Sequence, residues 1–97
     1  MDNKQVAEIF RELADLLIKK KENWFKIRAY RKVADEIDKQ SENLSKMASE
    51  GRLRKIPGVG DAIEKKIKEI LSTGKLQLLE RLRVEIGEGK IEQPRKQ

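Results

Sequence analysis

The stretch KIPGVGDAIEKK, residues 55–66, places a Pro-Gly-x-Gly turn directly before a helix rich in lysine. Two glycines around one valine give a backbone that turns sharply and lets another molecule come close, because no side chains stand in the way. A helix that begins straight afterwards adds N–H groups without intrahelical partners, at the positive end of its dipole. The pattern is typical of a phosphate site, and a tight helix–helix turn without a ligand is the alternative.

Composition narrows the class of protein. The 97 residues predict one domain with a modest core, since 41% are charged and 37% are apolar. The chain has no cysteine and no histidine, which excludes a disulfide framework and removes the commonest general base and metal ligand. No apolar run approaches the length of a membrane span. We therefore expect an intracellular protein without membrane contact, cytoplasmic in a prokaryote, and we also predict a monomer.

The net charge of +6 is banded along the chain. Residues 19–32 carry seven basic side chains and one acidic, and residues 51–68 carry six basic and two acidic. The stretch between them, residues 33–50, reverses the sign with two basic and five acidic side chains. Two basic bands around an acidic one favour a surface that faces a polyanion, whereas ordinary solvated lysines are the simpler interpretation.

Apolar residues at a spacing of three and four predict helices and no strands, so the predicted fold is an all-α bundle of four to five short helices. Asp2 or Asn3 is predicted to cap the first helix, and the second runs roughly from Trp24 to Gln40. A short third helix starts at residues 41–43 and is closed by Gly51.

Beyond the glycine turn, Asp61 and Glu64 have the spacing of a capping box at the start of a fourth helix, which Gly74 ends. A fifth helix holds the leucines between residues 76 and 82. The glycines and the proline of residues 87–97 show no period, so we predict a folded domain over residues 1–86 and a flexible tail over 87–97. The turn lacks the Lys-Ser/Thr pair of a nucleotide P-loop, and no βαβ unit surrounds it.

The longer pattern LRKIPGVGDAIEKKIKEIL, residues 53–71, resembles the helix-hairpin-helix motif of DNA repair proteins. IRAYRKVADEI (27–37) followed by GRLRKIPGVGDAIEKKIKEILSTGKLQLLERLR (51–83) is similar to the N-terminal lyase-type domain of family-X DNA polymerases, with the pieces in that family's order. The resemblance covers roughly residues 4 to 85. The paired aspartates of a polymerase palm are absent from this chain.

This resemblance implies that the hairpin holds the backbone of a DNA strand at a gap or a nick. The N–H groups implied to meet a phosphate belong to Gly58, Gly60 and Ala62. A monovalent cation, Na⁺ or K⁺, is implied to be shared with bound DNA through the carbonyls of Arg54, Ile56 and Val59. No other cofactor is expected.

The resemblance also implies a chemistry, because animal members of the family remove a 5′-deoxyribose phosphate through a lysine Schiff base. Lys66 matches the position of that lysine, and it borders the apolar stripe of its helix. The reaction needs an unprotonated amine, which partial desolvation and neighbouring cations favour. Lys26 and Tyr30 match the phosphate-binding lysine and the tyrosine of the pocket, and Lys65 and Lys68 add positive potential for phosphate binding.

Several departures from the family count against full lyase activity. Ala62 stands where the animal enzymes carry a lysine that grips the sugar phosphate, and Leu78 replaces another lysine. Phe25 replaces a pocket histidine, Lys65 stands at an acidic position, and Glu64 occupies a site that is usually a small residue. Lys66 as a surface lysine with a packed stem is the simpler interpretation.

Trp24 and Phe25 follow the KKKEN segment, where aromatic side chains are able to stack on unpaired bases. We assign Phe25 to the core and leave the role of Trp24 open. The sequence thus favours sequence-independent binding of gapped, nicked or single-stranded DNA in repair. A 5′-deoxyribose-phosphate lyase is the first alternative, and a protein-interaction bundle whose hairpin is only a turn is the second.

Overall fold

The structure, a computed structural model, describes the backbone of residues 1–95 and the side chains of residues 1–87. Within residues 1–95 it contains helices and no strand, which confirms the predicted all-α fold. A single 3₁₀ turn, Leu53–Lys55, precedes the glycine hairpin. The helices are α1 (Asn3–Lys19), α2 (Trp24–Asp38), α3 (Leu44–Ser49), α4 (Asp61–Thr73) and α5 (Gln77–Arg95).

The first two helices form a tight helical hairpin. Asp2 caps α1 through a capping box with Gln5, as predicted, and Asn23 caps α2 by accepting the Phe25 N–H at 2.7 Å. Between them, the Lys21 N–H donates to the Ile18 carbonyl and the next N–H to the Leu17 carbonyl, the two bonds of a Schellman motif. Lys21 takes the left-handed position of this motif, with φ of 57°, which glycine usually fills. The short connection keeps α1 and α2 packed side by side.

The core is a single apolar cluster centred on α1 and α2. Phe10 of α1 stacks on Tyr30 of α2, with ring centres 6.0 Å apart, and both rings are buried. The apolar faces of α3, α4 and α5 complete the cluster. Its buried members are Val6, Ala7, Phe10, Leu13, Ala14, Leu17, Ile27, Tyr30, Val33, Ala34, Ile37, Leu44, Met47, Leu53, Ile56, Val59, Ile67, Ile70, Leu76, Leu79 and Leu82.

Polar contacts fix the third helix against the first. The Asn3 side chain donates to the Glu42 carbonyl at 2.8 Å and accepts the Leu44 N–H at 2.9 Å. Asn43 caps α3, and Gly51 ends it with φ of +69°, in agreement with the sequence prediction. Arg52 then pairs with Glu42 and holds the chain that leads into the 3₁₀ turn. The segment that leads into the hairpin is therefore held in place by these hydrogen bonds and by the ion pair of Arg52.

The fifth helix differs from its prediction. Gly74 ends α4 in the left-handed conformation as predicted, but α5 continues as helix to Arg95, through residues for which we predict an irregular tail. Glycine disfavours a helix interior by only about 1 kcal/mol, and extending an existing helix adds one hydrogen bond per residue, so the glycines do not stop α5. That residues 87–97 form a flexible segment outside the domain stays a prediction, and residues 96–97 lie outside the described residues.

Candidate nucleic-acid interface

The glycine stretch forms a β-turn that leads directly into α4. The Val59 N–H donates to the Ile56 carbonyl at 3.0 Å, with Pro57 and Gly58 at the two central positions. Gly58 has φ of +90°, which matches the third residue of a type II turn and favours glycine there. Val59 and Ile56 are buried, so the turn is fixed to the core from below. The hairpin is rigid because its two apolar residues are packed.

The three N–H groups predicted to bind phosphate lie at the hairpin and at the start of α4. Among the described residues, no acceptor is hydrogen-bonded to the N–H groups of Gly58, Gly60 or Ala62. All three residues are exposed, and a Cβ at Gly60 would meet no atom within 4 Å. Gly60 is the N-cap of α4 and supplies no capping side chain, so the positive end of the helix dipole stays uncovered. The predicted phosphate-binding amides therefore belong to exposed residues at the hairpin and the first turn of α4.

The predicted capping box at the start of α4 is wrong. Asp61 is the first residue inside the helix rather than its cap, and it hydrogen-bonds Arg54 at 2.7 Å. Glu64 also pairs with Arg54, at 2.9 Å, instead of reaching back to the N-cap. The guanidinium competes with the backbone for both carboxylates because charge-assisted hydrogen bonds are stronger than neutral ones. This competition leaves the helix N–H groups free.

The carbonyl oxygens predicted to hold a monovalent cation lie on the same turn. In the described part of the chain, the carbonyls of Arg54 and Val59 accept no hydrogen bond from another turn or loop residue, whereas that of Ile56 accepts the Val59 N–H. A carbonyl oxygen has two lone pairs, so all three keep an acceptor site. Neutral oxygens of this kind suit a hard monovalent cation. The donor set fits the ion, and its binding here stays a prediction.

Lys65 and Lys68, predicted to bind phosphate, lie exposed on α4 and are each near an acidic side chain of the same helix. The Lys65 amine is 3.5 Å from Asp61, and the Lys68 amine is 3.7 Å from Glu64. Exposed pairs of this kind contribute at most about 1 kcal/mol, so they break readily when a stronger anion arrives. Their role at phosphate stays a prediction, and the acidic neighbours reduce the positive potential at the hairpin.

A concavity opens beside Tyr30, lined by the end of α1, by α2 and by α5. It has a volume of about 240 Å³, and Lys26 and Tyr30 both line it, as the family resemblance implies. The Lys66 amine is 6.0 Å from the centre of the Tyr30 ring, within cation–π range. Burial raises the pKa of Tyr30, and the nearby charge of Lys26 opposes that shift. The side chains of Lys26 and Lys66 thus both lie near the Tyr30 ring.

Sequence reasoning misses part of this concavity. Lys20, at the end of α1, and Arg81, on α5, also line it, together with Glu22 and Glu85. The Lys20 amine pairs with Glu85 at 2.8 Å, and this contact raises the pKa of Lys20 and lowers that of Glu85. Lys20 belongs to the basic KKK run that the charge analysis detects. The contribution of Arg81 depends on how α5 packs, which no local pattern indicates.

Of the residues that depart from the family resemblance, Leu78 lines this concavity, whereas the others lie outside its lining. Leu78 lines it with an apolar side chain, and Ala62 lies exposed on the first turn of α4. The assignment of Phe25 to the core is wrong, because its side chain is 77% exposed. Ile27 and Tyr30 already fill the buried face of α2, so its first turn projects Phe25 and the 55% exposed Trp24 outward. Two aromatic side chains therefore stand in solvent at the start of α2.

Comparison with known proteins identifies the family. The helix-hairpin-helix domain family matches residues 1–76. The chain belongs to this family. It is also 30% identical over 91 residues, or 94% of its length, to the DNA polymerase/3'-5' exonuclease PolX of Bacillus subtilis (strain 168). The chain spans about 15% of that relative's length. Together these matches confirm the resemblance to a domain of family-X polymerases that the sequence predicts.

Membrane-spanning helices and acidic metal-binding groups are two further features to consider in the described residues. No described helix combines the length and apolar character needed to cross a membrane. Within the same part of the chain, no group of three or more acidic side chains is arranged to hold a metal ion. The cation predicted at the hairpin depends on carbonyl oxygens instead.

Proposed function

We propose that this domain binds the backbone of DNA without sequence specificity. The observation that carries the proposal is the exposed set of N–H groups at Gly58, Gly60 and Ala62, at the start of α4. These groups suit a phosphate oxygen, which accepts from several N–H donors at once. The similarity to a bacterial DNA polymerase supports DNA as the source of that phosphate. An intracellular location goes with this function.

The favoured form of DNA is a gap, a nick or a 5′ end, and a gap leaves bases of the opposite strand unpaired. Trp24 and Phe25 support this, since two exposed aromatic rings at the start of α2 offer a surface on which an unpaired base stacks. Lys26 follows them directly and borders the concavity beside Tyr30. A strand whose phosphate lies at the hairpin would reach these rings only where the duplex is open. The monovalent cation at the hairpin carbonyls would join the domain to the same strand.

Fluorescence anisotropy with labelled DNA tests this function. Log affinity should fall linearly with log salt, with a slope of about −0.9 per phosphate contacted on duplex, and two unrelated sequences should bind equally. Gapped DNA should bind more tightly than an intact duplex of the same sequence. Affinity that ignores salt, or no binding at all, would leave the protein-interaction bundle as the better interpretation. Equal affinity for gapped and intact duplex would remove the preference for gaps.

A lyase reaction at Lys66 is a second candidate, favoured by the position of its amine over the Tyr30 ring beside Lys26. In that reaction the unprotonated amine attacks the aldehyde carbon of an opened 5′-deoxyribose phosphate and expels water, which gives an imine. Loss of a proton from the neighbouring sugar carbon then breaks the bond to the 3′ oxygen, and water releases the sugar from the lysine. Leu78 and Ala62, which replace two lysines of the animal enzymes, make weak activity the expected result.

Trapping the imine with borohydride separates the two candidates. Lys66→Arg keeps a positive charge but cannot form the imine, so it should retain DNA affinity within a few-fold and lose any trapped adduct. Lys26→Ala should weaken engagement of the sugar phosphate and still allow trapping. Ala62→Lys should raise the yield of adduct, because a cation there would hold the reacting fragment. No adduct with either wild type or Ala62→Lys would leave DNA binding as the only function. Equal trapping by Lys66→Arg would point to another lysine, such as Lys65 or Lys68.

A further inference from the structure

The side chain of Lys32, on α2, lies against the hairpin. A Cβ built at Gly58 would be 3.8 Å from the Lys32 Cε and 3.9 Å from its Cδ and Cγ. The methylene stem of Lys32 therefore runs along the bare backbone of Gly58, an arrangement that leaves its charged end in water. Since the amine is bonded to the Cε, the charge lies beside the hairpin although α2 is more than twenty residues away along the chain. No sequence motif indicates this contact.

The charge of Lys32 is available for a ligand. Lys32 is exposed and makes no ion pair within residues 1–87. The acidic groups one turn further along α2 are already engaged, because Asp35 binds Arg11 at 2.9 Å and Glu36 pairs with Lys39 at 3.3 Å. By contrast, Arg54, the arginine nearest to the hairpin in sequence, is held by two carboxylates. Lys32 thus brings to the hairpin a cation that no acidic side chain neutralises.

We propose that Lys32 is a phosphate ligand of the hairpin site, so that one DNA phosphate is bound jointly by hairpin N–H groups and by the Lys32 ammonium. This inference rests on the proposed function. Hairpin N–H groups are neutral dipoles and leave the phosphate's net charge uncompensated, so the lysine adds the positive charge that the backbone lacks. The site then spans two elements, the turn before α4 and the middle of α2. DNA held in this way is fixed in its orientation across α2.

Three charge variants test the assignment on a single-stranded oligonucleotide. Lys32→Met keeps the stem on Gly58 and removes the charge, so the salt slope should become shallower by about 0.7, and affinity at 0.1 M salt should fall about fivefold. Lys32→Arg keeps the charge and should bind within about twofold of wild type. Lys4→Met removes one exposed charge from α1 and is the matched control. An equal loss with Lys4→Met would show an effect of net charge alone and overturn the proposal.

A double-mutant cycle then asks whether the lysine and the hairpin share a phosphate. Gly60→Val should weaken DNA binding by itself. Lys32→Met should then reduce DNA affinity clearly less in the Gly60→Val protein than in wild type, because both changes remove the same phosphate contact. Strictly additive losses would mean separate phosphates and would contradict the joint site. If wild type binds DNA with a strong salt dependence while Lys32→Met behaves like wild type, only this inference fails. If wild type does not bind DNA, the proposed function itself fails.

Discussion

The hairpin and the concavity beside Tyr30 differ in the groups that they present to a ligand. The hairpin presents backbone N–H groups and depends on side chains only for its anchoring, through buried Ile56 and Val59. The concavity depends on the identity of side chains from three helices, with Lys20, Lys26 and Arg81 among them. A backbone site survives many substitutions around it, whereas a side-chain site changes its chemistry with each one. This difference fits a chain that keeps the glycine hairpin while residues 62 and 78 depart from the pattern that the resemblance to the animal enzymes implies.

The largest expected effect comes from closing the hairpin site itself. Gly60→Asp places a carboxylate at the N-cap of α4, where it accepts an N–H of the first turn and repels an approaching phosphate. DNA affinity should drop by more than about tenfold, since like charges in contact cost several kcal/mol. The fold should be kept, because Gly60 has φ of −104° and open space beside it. Gly60→Asn, a neutral cap, is the matched control and should lose less. Unchanged affinity in Gly60→Asp would show that the hairpin is structural only.

A smaller effect on affinity should come from the exposed aromatic rings near the concavity. Phe25→Ala removes a side chain that is 77% exposed, so the stability of the domain should hardly change. Stacking of one base on an aromatic ring contributes about 1–3 kcal/mol, so affinity for gapped or single-stranded DNA should fall about fivefold or more. Intact duplex should bind as before. A change in unfolding free energy without a change in affinity would assign Phe25 to packing rather than to base stacking.

The two hairpin glycines should differ in stability. Gly58→Ala forces a side chain into φ of +90°, which should cost about 1–2 kcal/mol of unfolding free energy. Gly60→Ser should be neutral or slightly stabilising, because its backbone is extended and serine is a good N-cap. Urea unfolding of both variants measures the difference. Equal stability would mean that the type II turn tolerates a side chain and that Gly58 serves only close approach.

The smallest effect concerns the ion pair that joins α1 to α5 on the side of the concavity. Arg83 binds Glu12 with distances of 2.8 and 2.6 Å, which lowers the pKa of Glu12 from its ordinary value of 4.5. A lowered pKa stabilises the folded state above that value, and the stabilisation is lost as the pH falls through the folded pKa. Glu12→Gln should therefore cost less than about 1 kcal/mol at pH 7, and the cost should begin to shrink below pH 4.5 and vanish only below the folded pKa of Glu12. A constant cost down to pH 3 would assign it to packing instead.

The sequence predicts most of the fold because helix patterns are local. Apolar spacing and the residues at Asp2, Gly51 and Gly74 give the positions of the first four helices within a few residues. Two of the failures arise from side-chain contacts and packing that apolar spacing does not encode, and the third, the continuation of α5, from helix propagation through glycine. The capping box fails because Arg54 takes both carboxylates, and Phe25 is exposed because the core is already filled by other side chains of α2.

In the candidate site, too, the local features are predictable from the sequence and the contacts between helices are not. The hairpin N–H groups are predictable because one short stretch specifies the turn, the positive φ and the helix start. The contact of Lys32 with Gly58 and the contribution of Arg81 depend on how helices pack, which sequence spacing does not encode. In this domain, the backbone groups of the candidate site are therefore predictable from the sequence, whereas the side chains that assist them are identified only from the structure.

The central claim is that the hairpin N–H groups bind a DNA phosphate, and amide NMR tests it most directly. A short oligonucleotide is added to the ¹⁵N-labelled domain, and proton–nitrogen correlation spectra are followed. The N–H signals of Gly58, Gly60 and Ala62 should move downfield, farther than those of other residues and together at one binding constant, because each gains a charged acceptor. If these three signals stay in place while others shift with DNA, the phosphate lies elsewhere and the claim is contradicted.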